Sequence, residues 1–370
     1  MSKIRVLVVD DSVVARRLLV NALSGDPDCE VVGAVANGRL ALSRIPQVNP
    51  DVVTLDVEMP ELDGLQTLAE IRKTRPKLPV IMFSALTERA ADATLRALAL
   101  GANDYVTKPS AANAEASMQQ VREQLLPKVR AFGRAPVVIS KRAPSPEPPR
   151  SSPAKSSVPP RVDLIAIGCS TGGPNALAAF FADLPANLGV PIVIVQHMPP
   201  VFTRLLAERL TSQTSHVVVE AKGGEALEPG RVFIAPGDHH LIVAKEGSTR
   251  RLALNREPPE NSCRPAVDVL FRSVAGAYGP NVLALVMTGM GQDGLVGCRK
   301  IREAGGQVVV QDEATSVVWG MPGFVAQAGL ADVIVPLNAL APELARRVTN
   351  GGKALRRDAM SASPRGDAWR

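Results

Sequence analysis

The chain has 370 residues, which predicts two or three domains, because globular domains commonly contain about 100–200 residues. Hydrophobic residues make up 46% of the sequence and charged residues 21%, which excludes a chain that is mostly disordered. The formal net charge of +6 suggests an anionic partner such as nucleic acid, but aromatic residues amount to only 3%, which argues against a surface on which bases stack.

The positive charge lies in two segments of low complexity. Residues 141–161 contain seven prolines, five serines and a net charge of +4, and residues 353–370 carry +3, so the rest of the chain sums to −1. We therefore expect no nucleic-acid partner. The boundaries predicted from composition are those of a first domain, a Pro/Ser-rich linker, a second domain and a disordered tail, at 1–125, 126–161, 162–350 and 351–370.

Other global features concern the cellular compartment. No apolar run approaches the roughly 18 residues of a spanning helix, so we expect a protein that is not embedded in a membrane. The amino-terminal segment becomes acidic too early for a signal peptide. The four cysteines are scattered without a CxxC pair, which is typical of a reducing compartment and offers no metal or disulfide framework. The expected location is the cytoplasm.

The first domain alternates short β-branched runs with helical segments. Runs of this kind occupy residues 4–10, 29–35, 51–56, 78–84 and 103–108. Strands that are apolar at nearly every position, with helices between them, predict a parallel sheet covered on both faces.

The second domain repeats this pattern. Its strand-like runs are residues 163–168, 190–196, 282–287 and 306–311. Its middle, residues 215–254, instead places turn signals (PG, GD and EGS) between short strands, which predicts antiparallel hairpins. The predicted fold class is therefore α/β, with two doubly wound parallel-sheet domains and a hairpin insertion in the second.

Polar residues follow the strands of the first domain at their carboxyl ends, where α/β sheets form their sites. They are Asp10, Asp11, Asp56, Ser84 and Lys108. Carboxylates that lie close together repel one another, and a hard dication such as Mg²⁺ relieves that repulsion. A carboxylate can also accept a phosphoryl group. The alternative is that these side chains only cap helices.

The motifs VVDDS, DVEMPELDG, FSA and YVTKP of residues 1–125 resemble those of response-regulator receiver domains, which have a flavodoxin-like fold. The resemblance implies that Asp56 accepts the phosphoryl group, that Lys108 contacts it, and that Ser84 and Tyr105 form the switch pair. It also implies a Mg²⁺ site, whose ligands would be Asp10, Asp11, Asp56 and the backbone carbonyl of Glu58.

The sequence GCSTGG at 168–173 follows a predicted strand and precedes a predicted helix. Residues 168–172 fit G-x-S-x-G, a tight turn that presents a nucleophilic serine, here Ser170. The helix start would offer free N–H groups to a developing oxyanion. The alternative is a turn that only caps the helix.

A nucleophilic serine needs a base and an orienting carboxylate. Of four histidines, His197 is favoured because it follows a strand at the same edge as Ser170; the others are His216, His239 and His240. For the carboxylate, Asp293 in TGMGQDG is favoured over Asp312.

The same loop supports a different hypothesis. Residues 289–294 read G-x-G-x-x-G after a strand, and Asp312 follows near the end of the next strand, as in a dinucleotide-binding fingerprint. This alternative leaves Ser170 and His197 without a role.

Residues 162–350 resemble the catalytic domain of chemotaxis protein-glutamate methylesterases, a Rossmann-like fold, in GCSTGGP, VQHMP, APGDHH, TGMGQDG and WGMPG. The resemblance implies that Ser170 is the nucleophile, His197 the general base and Asp293 its orienter. It also implies that the backbone amides near Thr171 and Met290 bind the oxyanion.

Together the two resemblances imply a phosphorylation-activated serine hydrolase. It would demethylate glutamate methyl esters, and deamidate glutamines, on the cytoplasmic domains of methyl-accepting chemotaxis receptors, with a sensor histidine kinase as phosphodonor. Mg²⁺ would serve the receiver, the esterase chemistry would need no cofactor, and the expected state is a monomer. The alternatives are a paralogue in a sensory array other than chemotaxis, a receiver-coupled nucleotide-binding protein, and a DNA-binding output.

Overall fold

The structure is a computed structural model that describes residues 2–109, 113–133, 161–247 and 249–361, with side chains up to residue 350. The chain divides into two compact units, Met1–Arg142 and Ala143–Arg370. Residues 134–160 of the predicted linker and residues 362–370 of the predicted tail lie outside the described residues.

The first unit is built on a five-stranded parallel sheet with the order β2-β1-β3-β4-β5, which is the flavodoxin-like order. The strands are β1 (Ile4–Val9), β2 (Cys29–Val35), β3 (Val52–Asp56), β4 (Val80–Ser84) and β5 (Asp104–Thr107). The helices are α1 (Val13–Ser24), α2 (Gly38–Val48), α3 (Gly64–Thr74), α4 (Glu88–Ala99) and α5 (Ala114–Gly133). The predicted fold class of this domain is confirmed.

The helices of this unit begin at short polar side chains rather than at the acidic cluster. Ser12, Asn37, Asp63 and Thr87 each accept a hydrogen bond from the backbone of the helix that follows. None of the three clustered carboxylates is an N-cap, so helix capping does not account for them.

Helix α5 extends beyond residue 125, where the first domain was predicted to end. Leu125, Leu126 and Val129 are buried in the core cluster that contains Ile4 and Val8 of β1. The apolar face of α5 therefore packs against the core of the first unit beyond residue 125, in a segment that was predicted to belong to the linker.

The second unit contains a seven-stranded parallel sheet with the order β14-β13-β12-β6-β7-β9-β8. The strands are β6 (Leu164–Cys169), β7 (Ile192–Gln196), β8 (Val218–Glu220), β9 (Val232–Ile234), β12 (Val282–Val286), β13 (Gln307–Gln311) and β14 (Val333–Val335), with a separate pair β10 (His240–Glu246) and β11 (Thr249–Asn255). The helices are α6 (Gly173–Asp183), α7 (Phe202–Gln213), α8 (Val267–Tyr278), α9 (Leu295–Glu303), α10 (Met321–Gln327) and α11 (Leu337–Ser361).

The strand order places a topological switch point between β6 and β12. On one side of β6 the chain adds β7, then β8 at the edge, and then β9 between those two strands; it returns to add β12, β13 and β14 on the other side. Ligand sites of open α/β sheets form at such a point, beyond the carboxyl ends of the strands. The loops after β6, β7 and β12 are therefore the ones that can build a site here.

The prediction of antiparallel hairpins over residues 215–254 is confirmed only in part. Strands β10 and β11 form an antiparallel hairpin, but β8 and β9 pair in parallel and extend the main sheet. All three residues of β9 are buried, as expected for a strand inside a sheet that is covered on both faces. The Pro-Gly pair before it closes a loop rather than a hairpin.

Helix α11 also differs from the predicted boundary at residue 350, because it continues to Ser361. Among the described helices, none combines the length and the apolar character of a membrane span.

Helix α8 packs tightly across the end of the sheet that carries the switch point. A Cβ atom at Gly168 would lie only 2.4 Å from Val267 of α8, and Phe271 of the same helix is fully buried. This close approach places the amino-terminal turn of α8 beside the loops after β6 and β12.

We expect Phe271→Ala to lower the free energy of unfolding of the second unit by about 3–5 kcal/mol, because it leaves a cavity where a fully buried ring packs. Urea unfolding followed by tryptophan fluorescence measures this loss, since Trp319 lies in the second unit. Phe324 is 45% exposed, and Phe324→Ala is the matched control with an expected cost below about 1 kcal/mol. Equal losses in the two variants would contradict the described packing.

Candidate active site

Three carboxylates meet at the carboxyl edge of the first sheet. Asp10 and Asp11 follow β1 and Asp56 ends β3, and one ligand oxygen from each lies within 4.8 Å of the others. Asp10 and Asp56 are buried, whereas Asp11 is exposed. The sequence prediction that parallel strands bring these residues together agrees with this geometry.

Lys108, which follows β5, contacts two of these carboxylates. Its Nζ atom lies 2.8 Å from Oδ2 of Asp56 and 3.2 Å from Oδ2 of Asp10. Burial nevertheless raises the pKa of Asp56 to about 6 and also raises that of Asp10. Burial by itself lowers the pKa of Lys108, but the two carboxylates raise it more, so the ammonium stays charged.

The donor set of this cluster fits a hard divalent cation. One ammonium cannot neutralise three carboxylates, and hard oxygen ligands are those that Mg²⁺ takes in proteins. Asp10, Asp11 and Asp56 are therefore the residues that would hold such an ion.

The remaining residues predicted for this site lie around it. Ser84 is buried and its Oγ contacts helix α4, accepting from Thr94 Oγ1 at 2.7 Å and donating to the carbonyl of Ala90 at 3.2 Å. Tyr105 is buried, with Lys128 Nζ 5.4 Å from its ring centroid. The Glu58 side chain lies 3.5 Å from Arg89. The described hydrogen bonds join neither Ser84 nor Tyr105 to Asp56.

The turn after β6 presents Ser170 at the switch point of the second sheet. The backbone N–H of Ser170 donates to the carbonyl of Thr288 in the loop after β12, at 3.0 Å. Gly172 adopts a φ of +78°, which favours glycine, and α6 begins directly after it. The turn therefore has the strand–turn–helix context that a nucleophilic serine requires.

Gln196, the last residue of β7, connects the Ser170 turn to His197. Its Nε2 donates to the carbonyl of Ser170 at 2.9 Å and to the carbonyl of His197 at 3.2 Å. A Cβ atom at Gly173 would lie 1.9 Å from Oε1 of Gln196, so only glycine leaves room for this buried amide. Gln196 was not predicted, although its place before the histidine in VQHMP is a signal.

His197 forms a hydrogen bond with a buried carboxylate. Nε2 of His197 lies 2.8 Å from Oδ2 of Asp293, which is only 2% exposed. Because a carboxylate accepts, Nε2 carries the proton and Nδ1 is left as the basic nitrogen. Burial by itself raises the pKa of Asp293, but the hydrogen bond from His197 and those from the backbone hold it below its usual value.

The amino terminus of α8 fixes Asp293. The N–H groups of Val267 and Asp268 donate to its two oxygens at 2.6 and 2.9 Å, and Nδ2 of Asn261 donates at 3.0 Å. Helix α8 has no side-chain cap of its own at Ala266. Asp293 therefore caps α8 from another loop, and the helix dipole stabilises its charge.

The other side of the imidazole contacts a thiol. Sγ of Cys263 lies 3.5 Å from Nδ1 of His197. Burial lowers the pKa of His197, but its contacts with Cys263 and Asp293 raise it more, so the net shift is upward. In the described part of the chain, no hydrogen bond joins Oγ of Ser170 to His197. Cys263 was not predicted, because it lies outside every motif.

Thr171 and Met290 lie in the two loops that flank Ser170. Among the described residues, neither backbone N–H has a hydrogen-bond partner. The carbonyl of Thr171 accepts from Oγ1 of Thr288 at 2.9 Å, which ties the loop after β6 to the loop that carries Met290. Free N–H groups in adjacent loops are what an oxyanion site requires.

The residues that competed for these roles have structural partners elsewhere. Asp312 accepts from the backbone and hydroxyl of Thr315 in its own turn, at 3.0 and 2.6 Å. His216 hydrogen-bonds the carbonyl of Leu184, and the ring of His240 is bonded to backbone atoms on both sides.

Comparison with known proteins is decisive for the family. Residues 6–119 match the model of the response regulator receiver domain, and residues 165–344 match that of the CheB methylesterase. A protein-glutamate methylesterase/protein-glutamine glutaminase of Trichodesmium erythraeum is 55% identical over 94% of this chain and 100% of its own length. The chain belongs to this methylesterase/glutaminase family.

Further relatives carry the same name. One from a Nocardioides species is 52% identical over 94% of this chain and 96% of its own length. The crystal structure of the Thermotoga maritima CheB methylesterase catalytic domain is 41% identical, covers 50% of this chain and 98% of that chain, and has a TM-score of 0.49. The family resemblance predicted from the motifs is confirmed, and these relatives do not support the nucleotide-binding alternative.

The buried cluster of the receiver predicts a pH-dependent stability. Because the pKa of Asp56 is about 6 in the folded chain and lower in the unfolded chain, the folded state binds the proton more tightly. Its contribution to stability is therefore present at low pH and is lost as pH rises through about 6. An asparagine at this position carries no charge at any pH, so Asp56→Asn should not lose stability as pH rises. In metal-free buffer we expect Asp56→Asn to raise the free energy of unfolding of the receiver by about 1–3 kcal/mol at about pH 7.5, and to leave it unchanged at about pH 4.

Scanning calorimetry at the two pH values measures the difference. The exposed Asp92 on α4 provides the control, because Asp92→Asn removes a carboxylate that is already solvated. A gain for Asp56→Asn that is the same at both pH values would contradict the burial argument.

Proposed function

We propose that this chain is a phosphorylation-activated serine hydrolase that removes methyl groups from glutamyl methyl esters of chemoreceptors. The observation that carries the proposal is the hydrogen bond between His197 and the buried Asp293, beside the Ser170 turn at the switch point. The names of its close relatives, protein-glutamate methylesterase/protein-glutamine glutaminase, supply the substrate chemistry.

The ester reaction begins at Ser170. Its hydroxyl attacks the ester carbonyl carbon while Nδ1 of His197 accepts the proton, a contact that forms when substrate is bound. The tetrahedral oxyanion is stabilised by the N–H groups of Thr171 and Met290. Collapse of this intermediate breaks the C–O bond, and His197 returns the proton to the leaving methanol.

Water then hydrolyses the acyl-enzyme. His197 accepts a proton from water, the hydroxide attacks the acyl carbon, and the proton returns to Ser170 as free glutamate leaves. Asp293 keeps the imidazole in the required tautomer and stabilises its charged form. With a glutamine side chain the leaving group is ammonia rather than methanol, so the same residues account for deamidation. These steps need no cofactor.

The receiver regulates this activity. Asp56 accepts a phosphoryl group from a sensor histidine kinase. Lys108, whose Nζ lies 2.8 Å from Oδ2 of Asp56, is placed to contact that group. Receiver domains generally depend on Mg²⁺, which neutralises phosphoryl charge when it is bound; here Asp10, Asp11, Asp56 and the carbonyl of Glu58 would hold it. Ser84 and Tyr105 act as the switch pair that follows the phosphorylation state.

The partners of this proposal are the cytoplasmic domains of methyl-accepting chemotaxis receptors. The enzyme works in the cytoplasm as a monomer. Phosphorylation raises the esterase rate, and the resulting demethylation returns the receptors to their adapted state.

We expect Ser170→Ala to lower methanol release from methylated receptor membranes by about 10³-fold or more, because it removes the nucleophile. Ser212→Ala, at an exposed position of α7, is the control and should keep the wild-type rate. Retention of the wild-type rate by Ser170→Ala would exclude Ser170 as the nucleophile.

We expect acetyl phosphate with Mg²⁺ to raise the esterase rate of the wild-type chain and to leave that of Asp56→Ala unchanged, because the phosphoryl acceptor is missing. Methanol release with and without the phosphodonor measures the effect, and Asp92→Asn is the control that should still respond. Equal activation of Asp56→Ala would exclude Asp56 as the acceptor.

Removal of residues 1–160 should raise the basal rate if the unphosphorylated receiver is inhibitory.

A further inference from the structure

Cys263 differs from the other cysteines of the chain in its exposure. Cys29, Cys169 and Cys298 are buried, with at most 3% of each residue exposed, whereas Cys263 is partly exposed. Burial raises the pKa of Cys169 and that of Cys298, which keeps both thiols protonated. Of the four thiols, Cys263 is therefore the one that a dissolved reagent can reach.

The thiol of Cys263 belongs to a row of three side chains. Its Sγ lies 3.5 Å from Nδ1 of His197, whose Nε2 lies 2.8 Å from Asp293. Among the described residues, Nδ1 of His197 has no other hydrogen-bond partner. A thiol, an imidazole and a carboxylate in this order form the arrangement that activates the nucleophile of cysteine hydrolases. The imidazole can accept the thiol proton, and the thiolate is the reactive form.

A tight turn holds the thiol in this position. Residues Asn261 and Ser262 both adopt left-handed conformations, with φ of +53° and +62°, and backbone hydrogen bonds join Glu260 and Cys263 in both directions, at 3.1 and 2.9 Å. Arg272 binds the carboxylate of Glu260 through two contacts of 2.6 Å. The turn is thus fixed by its own backbone hydrogen bonds and by Arg272, and it holds Cys263 in contact with His197.

We propose that Cys263 is a modification site for hydroperoxides, at which oxidation to the sulfenic acid takes away the basic nitrogen that Ser170 needs. The consequence for activity rests on the proposed roles of Ser170 and His197, whereas the modification itself does not.

The step is balanced with hydrogen peroxide as the oxidant. The thiol proton passes to Nδ1 of His197, and the thiolate sulfur attacks one peroxide oxygen. An S–O bond forms, the O–O bond breaks, and the leaving hydroxide takes the proton from the imidazolium to become water. Sulfur is oxidised by two electrons and peroxide is reduced. The new hydroxyl on sulfur lies between Cys263 and His197, where it hydrogen-bonds Nδ1 and excludes the Ser170 hydroxyl.

The full-length protein provides the test. After brief treatment with hydrogen peroxide, dimedone labels sulfenic acids, and peptide mass spectrometry identifies the residue. We expect the label on Cys263 and on none of the three buried cysteines. We also expect His197→Gln to label about tenfold more slowly, because the residue that accepts the thiol proton is missing.

Methanol release measures the consequence for activity. We expect peroxide to lower the wild-type rate by about tenfold or more and dithiothreitol to restore it, because a sulfenic acid is reducible. Each variant is compared with its own untreated rate. Cys263→Ala should resist the same treatment, and Cys298→Ala, which removes a buried thiol, should lose activity as the wild type does.

The outcomes separate this proposal from the proposed function. Label on another cysteine, an unchanged labelling rate in His197→Gln, or equal inactivation of Cys263→Ala would overturn the modification site while leaving the esterase assignment intact. If Ser170→Ala keeps full activity, the esterase mechanism fails, and the dimedone label on Cys263 still decides whether the thiol reacts.

Discussion

The hydrogen bond between His197 and Asp293 depends on a charge that must remain buried. A carboxylate withdrawn from water is costly unless other donors replace its hydration. Here Val267 and Asp268 at the start of α8 supply backbone N–H groups, and Asn261 adds its side-chain amide. Because α8 lacks a side-chain cap of its own, Asp293 accepts from its free N–H groups, and these N–H groups in turn stabilise the Asp293 carboxylate. The same contact thus stabilises the fold and orients the imidazole of His197.

Buried carboxylates are compensated differently in the two units. In the first unit Asp10 and Asp56 are buried next to one ammonium, and the pKa of Asp56 is high because this compensation is incomplete. In the second unit Asp293 has enough donors to hold its pKa low. The first site therefore keeps negative charge that a divalent cation would compensate, whereas protein donors compensate the charge of Asp293.

Much of both sites could be predicted from the sequence, because parallel strands bring their carboxyl ends to one edge. That rule alone brings Asp10 near Asp56 and Lys108 near both, and it favoured His197 over the other histidines. It could not predict Cys263, whose turn follows the antiparallel pair β10 and β11. The path of a loop after a hairpin is set by tertiary contacts such as those of Arg272 with Glu260 rather than by strand register.

The side-chain amide of Gln196 has a consequence for motion. Since one nitrogen holds the carbonyls of both Ser170 and His197, a displacement of either turn is transmitted to the other. The shared amide thus restricts the distance between the Ser170 turn and His197.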